Sequence, residues 1–144
     1  MRVSTTIIGL DKMGARFKAM ERAGDETMLL GLEKAAISVH REAIKGIQKV
    51  SSGKRAWRYN PKRQVTISRP GDPFNTDTGQ GMGSVHWEID KNKLEAAVGS
   101  NLAKLAFLEI GTSTMAARPW LRPAVNKVKQ SIIKGFKFVE KALK

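Results

Sequence analysis

From Met28 onward the chain repeats apolar residues at steps of three and four: Met28, Leu32, Ala35, Val39, Ala43, Ile47 and Val50. At 3.6 residues per turn this spacing puts them on one stripe of an α-helix, with Glu33, Lys34, Arg41, Glu42, Lys45 and Lys49 between them. Asp25 is placed to cap the start and Ser51-Ser52-Gly53 to stop the end, so the pattern predicts the longest helix of the fold. A second stripe, Leu121, Val125, Val128, Ile132, Phe136, Val139 and Leu143, predicts another helix over residues 119–144. Lys127, Lys129, Lys134, Lys137 and Lys141 fall mostly off that stripe, and Pro123 belongs in its first turn, where a missing amide costs nothing.

Shorter elements surround these two. Residues 3–10 are rich in β-branched side chains and predict a strand; Asp11 then caps a helix over 12–22 carrying Met13, Phe17 and Met20 and ended by Gly24. Residues 84–89 alternate apolar and polar, and 94–98 follow after Asp90-Lys91-Asn92-Lys93, which predicts a β-hairpin. Residues 102–110 satisfy neither period cleanly, and an extended segment is expected at 107–110.

The middle differs in character. From 51 to 69 there are six basic residues and no acidic one, and Pro61, Pro70, Gly71, Pro73, Gly79, Gly81 and Gly83 punctuate the stretch. It reads mostly as loop, with one short strand at 64–68, and a connection of this length is usually a functional arm or a mobile segment. The order of elements predicts a single α+β domain over 1–144. In it a small, mostly antiparallel sheet packs against a long N-terminal-half helix and a C-terminal helix, with residues 51–83 as a basic, Gly/Pro-rich loop or arm.

A chain of 144 residues without cysteine excludes disulfides, thiolate catalysis and sulfur-ligated zinc. No apolar run approaches the roughly 20 residues of a bilayer crossing, and residues 1–10 lack the apolar core of a secretory signal, so the expectation is a protein made in a cytoplasm. His40 and His86 have no neighbouring carboxylate or thiol arrangement that suggests a relay or a metal site. The Gly79-Gln80-Gly81-Met82-Gly83 cluster lacks the strand before it and the Lys-Ser/Thr pair after it that phosphate loops need, so it reads as flexible chain. The carboxylates are dispersed. The sequence therefore predicts a non-enzyme, with no catalytic residue, no metal ligand and no cofactor.

Charge is the feature with physical content: 26 Lys and Arg against 13 Asp and Glu leave +13. Lys54, Arg55, Arg58, Lys62 and Arg63, with Trp57 and Tyr59 interleaved, are the candidate contact residues. Cations neutralise phosphates and aromatics stack on bases, as in nonspecific nucleic-acid binders. The same cations suit an acidic face of a protein partner equally well.

Two stretches carry more than composition. Residues 68–79, Ser-Arg-Pro-Gly-Asp-Pro-Phe-Asn-Thr-Asp-Thr-Gly, followed by Ser84-Val85, form the first. Residues 107–124, Phe-Leu-Glu-Ile-Gly-Thr-Ser-Thr-Met-Ala-Ala-Arg-Pro-Trp-Leu-Arg-Pro-Ala, form the second and more specific. Together they resemble the minor tail-component family of long-tailed phages and prophages, although residues 80–83 depart from that family's pattern. Within the second stretch, Gly111 lets the chain turn, Pro119 and Pro123 fix the approach to the last helix, and Trp120 and Leu121 anchor it. Arg118 and Glu109 are given no catalytic role. The resemblance implies a structural protein of the virion neck or tail end, made in the host bacterial cytoplasm, that completes the tail or joins head and tail. Its implied partners are further copies in a ring, a hexamer favoured, and neighbouring neck, connector or tail-tube proteins, with DNA passing through the channel and no membrane. Docking to a neighbour is the preferred use of the basic residues, since dense cations in the lumen would hold passing DNA. The alternative is a nonspecific nucleic-acid-binding module using the basic loop and the lysines of the last helix.

Overall fold

The computed structural model describes residues 25–59 and 61–142. The expected strand at 3–10 and helix at 12–22 lie outside them. The described elements run α1 (Asp25–Gln48), β1 (Lys54–Tyr59), β2 (Lys62–Ile67), α2 (Gln80–Gly83), β3 (Val85–Asp90), β4 (Glu95–Ser100), α3 (Ala103–Ile110) and α4 (Arg122–Ala142). This is a small α+β fold built around a long helix in the N-terminal half and a C-terminal helix.

The residues of α1 that become buried are Met28, Leu32, Ala36, Val39, Ala43 and Ile47. Ala36 takes the place expected for Ala35, because it lies a full turn below Leu32, and Val50 falls past the helix end and is 72 % exposed. From Ala36 to Ile47 this stripe meets Val85 and Val98 of the β3–β4 hairpin, together with Phe74, Leu105, Leu108, Trp120, Leu121 and Ala124. Burial of each large apolar side chain in such a cluster stabilises the fold by about 1.5–3 kcal/mol. Helix α4 packs along α1, closely enough that a Cβ on Gly31 would stand 2.9 Å from the Phe136 ring. Lys127 reaches Glu42 at 3.9 Å across the same seam. His40 ties α1 to the hairpin through Nε2 and the Val85 carbonyl at 3.1 Å.

The β3–β4 hairpin forms as its alternation predicts, in antiparallel register from Val85 opposite Ser100 to Asp90 opposite Glu95. Three other expectations are corrected. The 54–67 segment is an antiparallel hairpin whose second strand, β2, is close to the short strand expected at 64–68 and whose first, β1, stands where loop was expected, so that the described residues hold two separate two-stranded sheets in place of one. Trp57, Tyr59, Val65, Thr66 and Ile67 are good strand formers, and Tyr59 pairs directly with Lys62 at the closed end. Residues 107–110 are helical within α3, because Ala103, Lys104, Leu105, Ala106, Leu108 and Glu109 all favour helix and Ile110 alone is β-branched. Finally, residues 80–83 form a single helical turn and not a free glycine linker: Gly81 packs so close that an added Cβ would stand 3.0 Å from Phe74.

Candidate functional site

Alternation along β1 and β2 divides the basic hairpin into two faces. With Trp57 opposite Gln64, Arg58 opposite Arg63 and Tyr59 opposite Lys62, one face carries Arg55, Trp57, Tyr59, Lys62 and Gln64. The other carries Lys54, Ala56, Arg58, Arg63, Val65 and Ile67. The second face is the inner one: Ala56, Arg63 and Val65 are half-buried, and Asp77 lies against it. Arg63 holds Asp77 through Nη2 at 2.9 Å and Nε at 3.0 Å, and Arg58 approaches the same carboxylate at 3.7 Å.

The seven candidate contact residues therefore do not act as one patch. Arg58 and Arg63 are partly neutralised by Asp77 and serve to hold the hairpin, while Lys54 stands at its base. Arg55, Trp57, Tyr59 and Lys62 form the free face, with Trp57 53 % and Tyr59 79 % exposed. The Lys62 ammonium sits 5.8 Å from the centre of the Trp57 ring, within the range of a cation–π contact. An isolated two-stranded hairpin is marginal in water, so what fixes this one is its base. The Asn75 side chain accepts from the Ser51 amide at 2.8 Å and donates to the Ser51 and Thr66 carbonyls, each at 2.9 Å. The Ser51 hydroxyl donates to Asp72 at 2.7 Å. Gly53 passes so close to the Ile67 carbonyl that no Cβ fits there.

The stretch that holds the hairpin, residues 68–79, is in turn held by residues 107–124. Arg118 donates through Nε to the Ser68 carbonyl at 3.1 Å, and the Gly71 amide donates to the Ala117 carbonyl at 2.9 Å. Phe74 meets Trp120 edge to face, with ring centres 6.5 Å apart. Trp120, buried, donates its indole N–H to the Leu105 carbonyl at 3.1 Å, and Leu121 is buried beside it. Gly111 has φ 84° and ψ 176°, open to glycine alone, and an added Cβ would stand 2.9 Å from both the Met115 carbonyl and the Ala117 amide. Pro123 is the second residue of α4, as its missing amide requires.

Sequence reasoning missed what starts α4. Leu121 precedes the helix and has no polar side chain with which to cap it. Glu109, from α3, supplies the cap: Oε2 accepts the amides of Trp120 at 2.7 Å and Leu121 at 2.9 Å, and Oε1 accepts that of Arg122 at 2.9 Å. A carboxylate here also complements the positive end of the helix dipole. Asn75, Asp72 and Asp77 were missed as well; the turn-forming Pro-Gly-Asp-Pro run around them was their only signal.

His86 has Glu88 3.3 Å from its Nε2 on the same strand face, while Nδ1 meets the Ser84 carbonyl at 2.9 Å. Both side chains are exposed, and among the described residues no nucleophile is bonded to either. Among the described residues no group of three or more His, Asp or Glu is placed to hold a metal ion, and no helix is long and apolar enough to cross a membrane. Compared with family models, curated proteins and solved structures, the chain gives no match.

Proposed function

We propose that this chain is a non-enzymatic structural subunit of a phage virion neck or tail end, one that forms a ring to complete the tail or join head and tail. One observation carries the reading: the two stretches that resemble the tail-component family pack on each other, and their polar side chains brace the base of a projecting cationic hairpin. An architecture devoted to holding out one arm suits a protein whose work is contact. In this reading the partners are copies of itself, a hexamer favoured, and the adjoining neck, connector or tail-tube proteins. Its place is the virion, after synthesis in a bacterial cytoplasm.

Nonspecific nucleic-acid binding is the second reading, favoured by two exposed aromatics on the same face as Arg55 and Lys62. Sedimentation velocity over a range of concentrations at moderate salt, with and without duplex DNA, separates the two. A discrete assembly that ignores DNA is the expected result. A monomer that coats DNA, with affinity falling log-linearly with salt, overturns the assembly reading.

A further inference from the structure

The outer face of the basic hairpin bears two cations for which no carboxylate partner exists among the described residues, Arg55 and Lys62, flanking exposed Trp57 and Tyr59. Such a face needs a surface that is acidic and flat enough to receive an indole. The same chain carries one. In the β3–β4 hairpin, Val85, Trp87 and Ile89 with Ala96, Val98 and Ser100 form the side on which the buried Val85, Val98 and Ser100 lie, so His86, Glu88, Asp90, Glu95, Ala97 and Gly99 face outward.

Three carboxylates on one sheet face are unexpected in a chain of net charge +13. Two of them, Asp90 and Glu95, are directly opposite each other in the register, and like charges so placed repel. Asp90 is used in part by its own turn, accepting the Asn92 and Lys93 amides at 3.0 and 3.2 Å, with the Lys93 ammonium 3.8 Å away. Among the described residues Glu88 has only His86, and Glu95 has no ion pair. The carboxylates elsewhere that have roles are engaged inside the subunit: Glu42 at the α1–α4 seam, Asp72 and Asp77 under the basic hairpin, and Glu109 at the α4 cap. Ala97, opposite Glu88, and Gly99, opposite His86, leave a low strip running on from the acids, and a Cβ at Gly99 would meet open space.

We propose that the Arg55–Lys62 face of the basic hairpin docks on the Glu88–Glu95 face of the β3–β4 hairpin in a second copy of this chain, with Trp57 on the Ala97–Gly99 strip. This rests on the assembly reading above. Because the two faces are different surfaces of one subunit, the contact is heterologous and repeats from copy to copy, the geometry a ring requires. It is also salt-sensitive, since the screening length falls from about 10 Å at 0.1 M to about 3 Å at 1 M salt.

Charge reversal tests it. Arg55→Glu with Lys62→Glu, and separately Glu88→Lys with Glu95→Lys, are compared with the wild-type chain by sedimentation velocity, with circular dichroism melts as the control for folding. Each pair is expected to weaken self-association by about 100-fold, through like charges brought together at the contact. The four changes combined in one chain are expected to restore it. Wild-type association in either double variant, or no restoration in the quadruple one, overturns this contact and leaves the ring standing. A wild-type chain that is monomeric at every concentration overturns both. Loss of oligonucleotide binding alone, with assembly intact, overturns the contact in favour of nucleic acid.

Discussion

Removing the Glu109 carboxylate tests whether the link between α3 and α4 is what sets the platform under the hairpin. Glu109→Ala deletes three hydrogen bonds of 2.7, 2.9 and 2.9 Å to the amides of Trp120, Leu121 and Arg122. Hydrogen bonds to a charged group are worth about 1.5–3 kcal/mol each, and an N-cap as a whole about 0.5–2 kcal/mol. Because Glu109 is half-buried and the Arg122 amide is exposed to water once vacated, the sum falls well below three full bonds, at about 3 kcal/mol. For a chain of this length that lowers the melting temperature by about 10 °C. Glu109→Gln keeps one acceptor oxygen and loses the charge, so about half the effect is expected. Urea unfolding followed by far-ultraviolet circular dichroism reads both variants, and an unchanged m-value keeps the comparison a matter of stability. A loss below about 0.5 kcal/mol for Glu109→Ala, the size of an ordinary surface substitution, refutes the cap.

Other residues give independent checks by the same unfolding measurement. Gly111→Ala forces a Cβ against the Met115 carbonyl at a backbone angle closed to alanine, and a loss of about 2–3 kcal/mol is expected. Ser68→Ala is expected to be neutral or stabilising by up to about 1 kcal/mol, because the buried Ser68 hydroxyl makes no hydrogen bond among the described residues. The Glu42 carboxyl is held below its ordinary range, first by its hydrogen bond from Lys45 and then by the charges of Lys45, Lys127 and Arg41, against the opposing effect of burial. A carboxyl with a depressed folded-state pKa stabilises above its unfolded value and loses that contribution as pH falls through the folded one. Stability should therefore drop on acidification below about pH 4.5, and Glu42→Gln should flatten that slope in melts taken as a function of pH.

What the sequence made legible was set by periodicity. Twenty-four residues of α1 and the stripe of α4 repeat often enough that one misplaced residue, Ala35 for Ala36, does not disturb the assignment. The β3–β4 alternation was readable for the same reason. The basic hairpin was legible only in its second strand, because its inner face mixes Ala56, Val65 and Ile67 with Lys54, Arg58 and Arg63, so charge masked the two-residue period in the first and Pro61 read as a breaker. The helix at 103–110 was hidden by its outward Phe107 and Ile110, 56 % and 76 % exposed, which blur the difference between its faces. Within the site, the candidate cations and aromatics were visible by type. Their division into a braced inner face and a free outer face depends on strand register and on Asp77, fourteen positions beyond Arg63 in sequence. Glu109 has no local signature at all, since a carboxylate that caps another element's helix is defined by tertiary proximity alone.

On the proposed function, the hairpin of residues 54–67 is an arm that completes its packing on a neighbouring subunit. Amide hydrogen exchange measures this directly, compared between dilute chain and chain concentrated enough to assemble. Slower exchange on assembly is predicted in β1 and β2, with the amides of α1 unchanged. Equal hairpin exchange in the two states, or protection that appears only when DNA is added, contradicts it.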